Sequence, residues 1–306
     1  MDVLERIEEL LDEAYFTEDA QEIERLARSV LELDEDNVEA LILLSDTIEY
    51  SEEKIALLER TMDIISEEAE AVLHAGEGNI LEDETGMLYI AVLQRLGFAL
   101  FSEGRNEEAL AIARDLERYD PDGETLARTL LYRVLLDMER YSEVLEETLK
   151  DERPGLAALH GKAIASFRLS GPGKTAYRSL WEAVEGGPDI PFYILGFMPE
   201  PEEDLNDEQE EYHFAFLFED AWSMDNDLVK WLTRAAILLG LTASLFPDED
   251  VDNMMVLADA LEIADFVEEA IIQAESNPDW GALSPHEKTE TAIKMFSKGV
   301  FLPLAD

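Results

Sequence analysis

A few short patterns in this 306-residue chain have residue types and spacings that could do chemistry. Gly171 to Thr175 read GPGKT, the end of a phosphate-binding loop, in which glycine N–H groups cradle phosphates and the lysine reaches the terminal ones. That loop needs a further glycine five residues before Gly173, where this chain has Arg168, and a preceding strand, where it has a helical run. The segment therefore reads as a turn, with Gly171 in the helix-ending position that favours a left-handed backbone. Glu210 and His213 have the Glu-x-x-His spacing that places both side chains on one helical face, as in carboxylate-bridged two-metal bundles. Such a centre takes a second copy, but none of His74, His160 and His286 has Glu three residues earlier, so His213 reads as a surface histidine. Ser51 and Lys54 have Ser-x-x-Lys spacing at a junction between helices, where the Ser51 hydroxyl serves as a cap. Paired carboxylates carry no information among 72 acids, and no Gly-x-Ser-x-Gly elbow or dinucleotide fingerprint is present. No catalytic residue, metal ligand or cofactor is assigned, and the chain is not expected to be an enzyme.

Composition narrows the classes that remain. The 72 acids face 23 bases, a net charge of -49, yet 47% of the residues are hydrophobic, enough to bury a core. So acidic a surface repels nucleic-acid phosphates and anionic lipid headgroups, which excludes both as expected partners. There are no cysteines, hence no disulfides and no thiolate chemistry. The N-terminal MDVLERIEEL lacks the pattern of a signal peptide, and the longest weakly polar stretch, Ala235 to Phe246, spans 12 residues where a membrane helix needs about 20. A soluble, cytoplasmic protein is expected. The charge is uneven: residues 1–85 sum to -23, residues 86–190 to -5 and residues 191–306 to -21. Of the acids 46 are Glu, which favours ordinary helix-surface glutamate over adaptation to a high-salt cytoplasm.

The elements that must position any site are helices. Leu4, Ile7, Leu10, Leu11 and Ala14 follow three-and-four spacing, as do Leu93, Leu96, Gly97 and Leu100, and no run alternates as a strand. Breaks fall at Gly76 to Asn79, Asp120 to Gly123, Pro154 to Gly155, Gly186 to Pro188, Pro199 to Glu211 and Asn277 to Gly281. Ser284, Pro285 and Glu287 spell a helix start. Trp181, Trp222, Trp231 and Trp280 sit among apolar helical residues and read as core or rim. A period accompanies the helices: Pro121, Pro154 and Pro188 are 33 and 34 residues apart, while Gly104 and Gly171, like Ala109 and Ala176, are 67 apart. That is the repeat length of helix-turn-helix solenoids.

With Leu96-Gly97, the turn residue Gly104, the small Ala109 and the terminal Pro121, the segment Leu93 to Asp122 resembles a tetratricopeptide repeat. A second copy spans about Glu124 to Pro154, with Tyr141, Ser142 and Val144 shifted by one as if an extra residue sat in its turn. A third spans Leu156 to Pro188, with Ala163, Phe167, Gly171, Ala176 and Ala183 in register. A degenerate unit covers Leu4 to Asn37, and Val38 to Ser51 begins another. After the repeats, IPFYILG at Ile190 to Gly196, with Ala221-Trp222 and Trp231-Leu232, is similar to the C-terminal region of bacterial tetratricopeptide proteins related to the suppressor-of-tumorigenicity family.

The resemblance implies an all-α fold, a right-handed superhelical stack of helical hairpins continued by a C-terminal helical region that caps it. The expected divisions are degenerate hairpins over 1–85, a repeat core over 86–190 and the C-terminal region over 191–306. It also implies a groove lined by the first helix of each pair: Gln94 and Phe98, Arg128 and Tyr132, and Gly161 and Ala165 with Lys162 adjacent. Cations beside aromatics suit an extended peptide bearing a carboxylate, unless Arg128 and Lys162 pair with neighbouring Glu. The expected function is a non-catalytic scaffold or adaptor for a protein or peptide partner. Alternatives are an acidic surface for a basic partner, a self-assembling homo-oligomer, and an enzyme built around Tyr193, His213 and Trp222.

Overall fold

The structure is a computed structural model that describes residues 2–49, 51–75, 80–120, 125–151, 154–201 and 206–298. Gly76 to Asn79, Pro121 to Gly123 and positions 202–205 of the acidic loop lie outside the described residues. Among the described residues the regular structure is entirely helical. The chain divides into two compact units, residues 1–134 and 135–306.

The first unit contains α1 (Val3–Tyr15), α2 (Ala20–Leu31), α3 (Val38–Thr47), α4 (Glu52–Ala75), α5 (Glu84–Ser102) and α6 (Asn106–Tyr119); α7 (Ala127–Asp137) crosses the division. Short polar side chains start most of these helices. Asp2 and Glu5 form a reciprocal capping box, while Asp19, Asn37 and Asp83 accept the N–H groups of Gln21, Ala40 and Gly86. Ser51 accepts from the Lys54 N–H at 3.4 Å, the capping role read from sequence. Such caps contribute about 1 kcal/mol each. Ile7, Leu10, Leu11 and Ala14 of α1 pack with Leu26, Ala27 and Val30 of α2 and with Ala40, Leu43 and Leu44 of α3. Leu4, counted with that stripe, is exposed.

α5 is, among the described residues, the one helix long and apolar enough to cross a membrane, which the 12-residue sequence limit passes over. Its Ile90, Val92, Leu93, Leu96 and Leu100 are buried within the protein. A Cβ at Gly97 would lie 2.4 Å from Leu130 and 3.1 Å from Ile112, so α5 meets α6 and α7 there more closely than a side chain permits.

The second unit contains α8 (Tyr141–Lys150), α9 (Leu156–Ser170), α10 (Lys174–Gly186), α11 (Ile190–Ile194), α12 (Asn206–Ser223), α13 (Asn226–Ala243), α14 (Val251–Ala260), α15 (Ala264–Glu275) and α16 (Pro285–Ser297). α13 is its centre: Leu228, Trp231, Leu232 and every residue from Ala235 to Ala243 are buried, with α11, α12, α14, α15 and α16 packed around it. The weakly polar Ala235 to Phe246 stretch thus supplies an inner helix. Trp181, Trp222, Trp231 and Trp280 are all buried, and Ser284 and Glu287 form the capping box of α16. The segment read as a loop to Glu211 is helical from Asn206.

One turn recurs. After α5 the Arg105 N–H donates to the Leu100 carbonyl at 2.8 Å across Gly104, whose φ is 72°. After α7 the Arg140 N–H donates to the Leu135 carbonyl at 2.9 Å across Glu139, with φ 54°. After α14 the Ile263 N–H donates to the Ala258 carbonyl at 2.9 Å across Glu262, with φ 61°. Each bond closes a six-residue loop that satisfies a helix-end carbonyl and reverses the chain. The first two turns have equal length, so the residue expected as extra in the second turn lies upstream of α7 instead. Between α9 and α10, Gly171 has φ 70° but Pro172 follows and has no N–H to close the same loop.

Relieving a left-handed side chain should stabilise the fold. Glu139→Gly and Glu262→Gly are each expected to raise unfolding free energy by about 0.5–1 kcal/mol, the strain removed less the backbone entropy glycine adds. Gly86→Ala should lower it by about 1–3 kcal/mol, because the new methyl would sit 2.2 Å from the Ile80 carbonyl oxygen. Urea unfolding of the three variants checks both signs, and a stabilised Gly86→Ala protein would contradict the packing.

Candidate functional site

The residues expected to line a groove are set by helix register, and the register follows from the turns. The interval from Gly104 to Glu139 is 35 residues, one more than the spacing that pairs Gln94 with Arg128 and Phe98 with Tyr132. Counted from equivalent turns, Thr129 and Arg133 occupy the places of Gln94 and Phe98, and Tyr132 occupies the place of Gly97. Tyr132 is accordingly 2% exposed, a packed residue where an exposed groove aromatic was expected. Gln94 and Phe98, four apart on α5, remain half-buried on one face, and Arg128 of α7 is also half-buried. Arg133 lies with its guanidinium 5.4 Å from the centre of the Phe101 ring.

α9 uses its candidates internally. The Lys162 ammonium donates to Glu182 of α10 at 2.6 Å, with both side chains about one-third exposed, so this cation has a carboxylate from its own chain. Gly161 and Ala165 are buried. Beside them His160 has no exposure; α12 covers it with the Phe214 ring 5.0 Å and the Phe218 ring 6.4 Å away. Trp222 donates its indole N–H to His160 Nδ1 at 3.2 Å. Burial holds the imidazole neutral down to about 3. Gly161 and Ala165 are therefore closed from solvent, and the five expected site residues fall in both units. Gln94 and Phe98 share a face, Arg128 lies in the same unit, Tyr132 is interior, and Lys162 belongs to the second unit.

The remaining sequence patterns resolve into structure. His213 and Glu210 are exposed on α12, and among the described residues no three potential ligands gather to hold a metal ion. Next to them Glu211 accepts the Asp189 N–H at 2.7 Å and so holds the start of α11. Burial, aided by the nearby Asp189 and Glu210 charges, pushes its carboxyl up to about 7 against the opposing pull of its backbone hydrogen bonds. Only a long-range contact produces this, which is why spacing could not announce it.

A carboxyl raised on folding binds a proton that the unfolded chain releases. The stability it contributes is complete below about 4.5 and is lost as pH rises through about 7. Glu211→Gln keeps an acceptor and removes the titration. Its melting temperature relative to wild type should therefore climb between pH 5 and pH 8, by a few degrees; a difference that stays flat across that interval would contradict the burial of the charged form.

No protein-family model, no curated protein and no solved structure matches this chain.

Proposed function

We propose that the chain is a tetratricopeptide-like repeat protein, its hairpins stacked as a right-handed superhelix. It acts in the cytoplasm as a non-catalytic scaffold that binds a segment of another protein. The observation that carries this reading is the pair of equal hairpin turns at Gly104 and Glu139, 35 residues apart, joined to the close helix approach at Gly97. Small residues at such approaches and identical turns are what stacked helical hairpins need to bury a continuous core. The contact surface we assign is the α5 face bearing Gln94 and Phe98, with the half-buried Arg128 of α7 as a further element, a ring for stacking and a guanidinium for carboxylate recognition. Tyr132 and Lys162 take no part, one being interior and the other paired.

Affinity capture from the source cell's extract tests this. Wild type, a Phe98→Ala, Arg128→Gln double variant and a Lys162→Met control are compared after circular dichroism has shown all three folded. A partner retained by wild type and control and reduced at least about tenfold by the double variant supports the face named here. Identical capture by all three would overturn it.

A further inference from the structure

Carboxylates are scarce in two parts of this acidic chain. Residues 154–181 contain neither Asp nor Glu, and neither do residues 291–305. Folding brings these stretches together where the first half of α10 packs along the end of α16, around a cavity of about 100 Å³. Lys174 and Arg178 line it from α10, and Lys298 lines it from the end of α16. Among the described residues these three cations make no hydrogen bond and no ion pair. Elsewhere in the same unit cations are engaged: Lys162 with Glu182, Lys294 with Glu290, and Arg168 with Asp225.

A second observation is independent of charge. Trp181, which lines the same cavity, is 1% exposed, yet its indole N–H has no hydrogen-bond partner. Its ring forms part of the cavity wall, so its resonance reports on occupancy of the cavity. The start of α10 adds to the same field. Its cap is Gly173, which has no side chain to accept the first N–H groups, and its first turn holds no acid. The positive end of the helix is left for an anion.

We propose that this cavity binds a phosphate group, as the free ion or as a phosphate monoester. Three cations with no built-in counter-ion match a dianion with several acceptor oxygens better than a single-charge carboxylate. A volume of about 100 Å³ admits a phosphoryl group, and the rest of a monoester extends outward through the open side. Lys174 is thus the lysine of the GPGKT segment, but it acts from the side of a helix that follows another helix, and not from a strand-borne phosphate loop. The site belongs to the second unit and does not depend on the partner-binding reading.

The test titrates inorganic phosphate into the isotope-labelled full chain at constant ionic strength, made up with chloride, and follows the indole N–H resonances. The Trp181 signal, assigned by its disappearance in Trp181→Phe, is expected to shift saturably while those of Trp222 and Trp231 stay in place. In a Lys174→Ala, Arg178→Ala double variant the affinity should fall at least about tenfold, with the Trp222 and Trp231 signals unmoved as proof of fold. No saturable shift, an equal response to acetate, or undiminished affinity in the double variant would each overturn the proposal. A short phosphoserine peptide separates the sources: tighter binding than phosphate places the group on another protein, and equal or weaker binding identifies the free ion.

Discussion

Charge imbalance constrains every level of this molecule. With 72 carboxylates and 23 cations, compaction brings like charges together, and the opposing free energy must come from elsewhere. Helix starts absorb part of the excess: Asp2, Asp19, Asp83 and Asp225 sit where backbone N–H groups point outward and favour a negative charge. Many cations are used within one helical turn, as in Arg6 with Glu9, Arg25 with Glu22 and Arg118 with Asp115. Exposed pairs of that kind stabilise by a few tenths of a kcal/mol and fix no tertiary contact. The fold therefore depends on apolar burial, concentrated in helices such as α3 and α13 whose sides are buried nearly all round.

Burial in turn decides which polar groups are perturbed. Lys54 is 7% exposed and donates its ammonium to the Ile48 carbonyl at 3.2 Å; burial lowers its pKa although Asp46 pulls the other way. Asp46 is held by a two-pronged contact from Arg95, at 2.8 and 2.7 Å, which ties the end of α3 to α5. His160 and Glu211 are the corresponding cases in the second unit, one kept neutral by aromatic walls and one raised while it serves as a helix anchor. Each is a packing consequence, and none implies a reaction.

The helices were legible because apolar spacing and capping residues are local signals, and so was the Gly104 turn, since glycine marks a left-handed backbone. Glu139 and Glu262 adopt the same backbone without that mark, because the six-residue hydrogen bond and the packed helices outweigh the strain of a side chain there. The extra residue upstream of α7 displaces the register by one. On a helix a one-residue slip rotates a side chain by roughly 100°, which is why Tyr132 was expected at the surface and lies inside. The Lys162 ion pair was not legible for a different reason: Glu182 is twenty residues away on the next helix, beyond any spacing rule.

The same distinction explains why unpaired cations escape a reading by motif. Lys174 and Arg178 are ordinary surface residues in sequence, and Lys298 is separated from them by most of the second unit. Their meeting is set by how α16 lies along α10, a result of apolar contacts such as Trp181 against Phe296, whose rings are 4.9 Å apart. Repulsion among three exposed ammonium and guanidinium groups is screened at the surface and offset by the negative field of the remaining chain. Their unpaired state is therefore tolerated without a ligand, whereas the buried indole N–H beside them gains no such relief, since a field does not replace an acceptor.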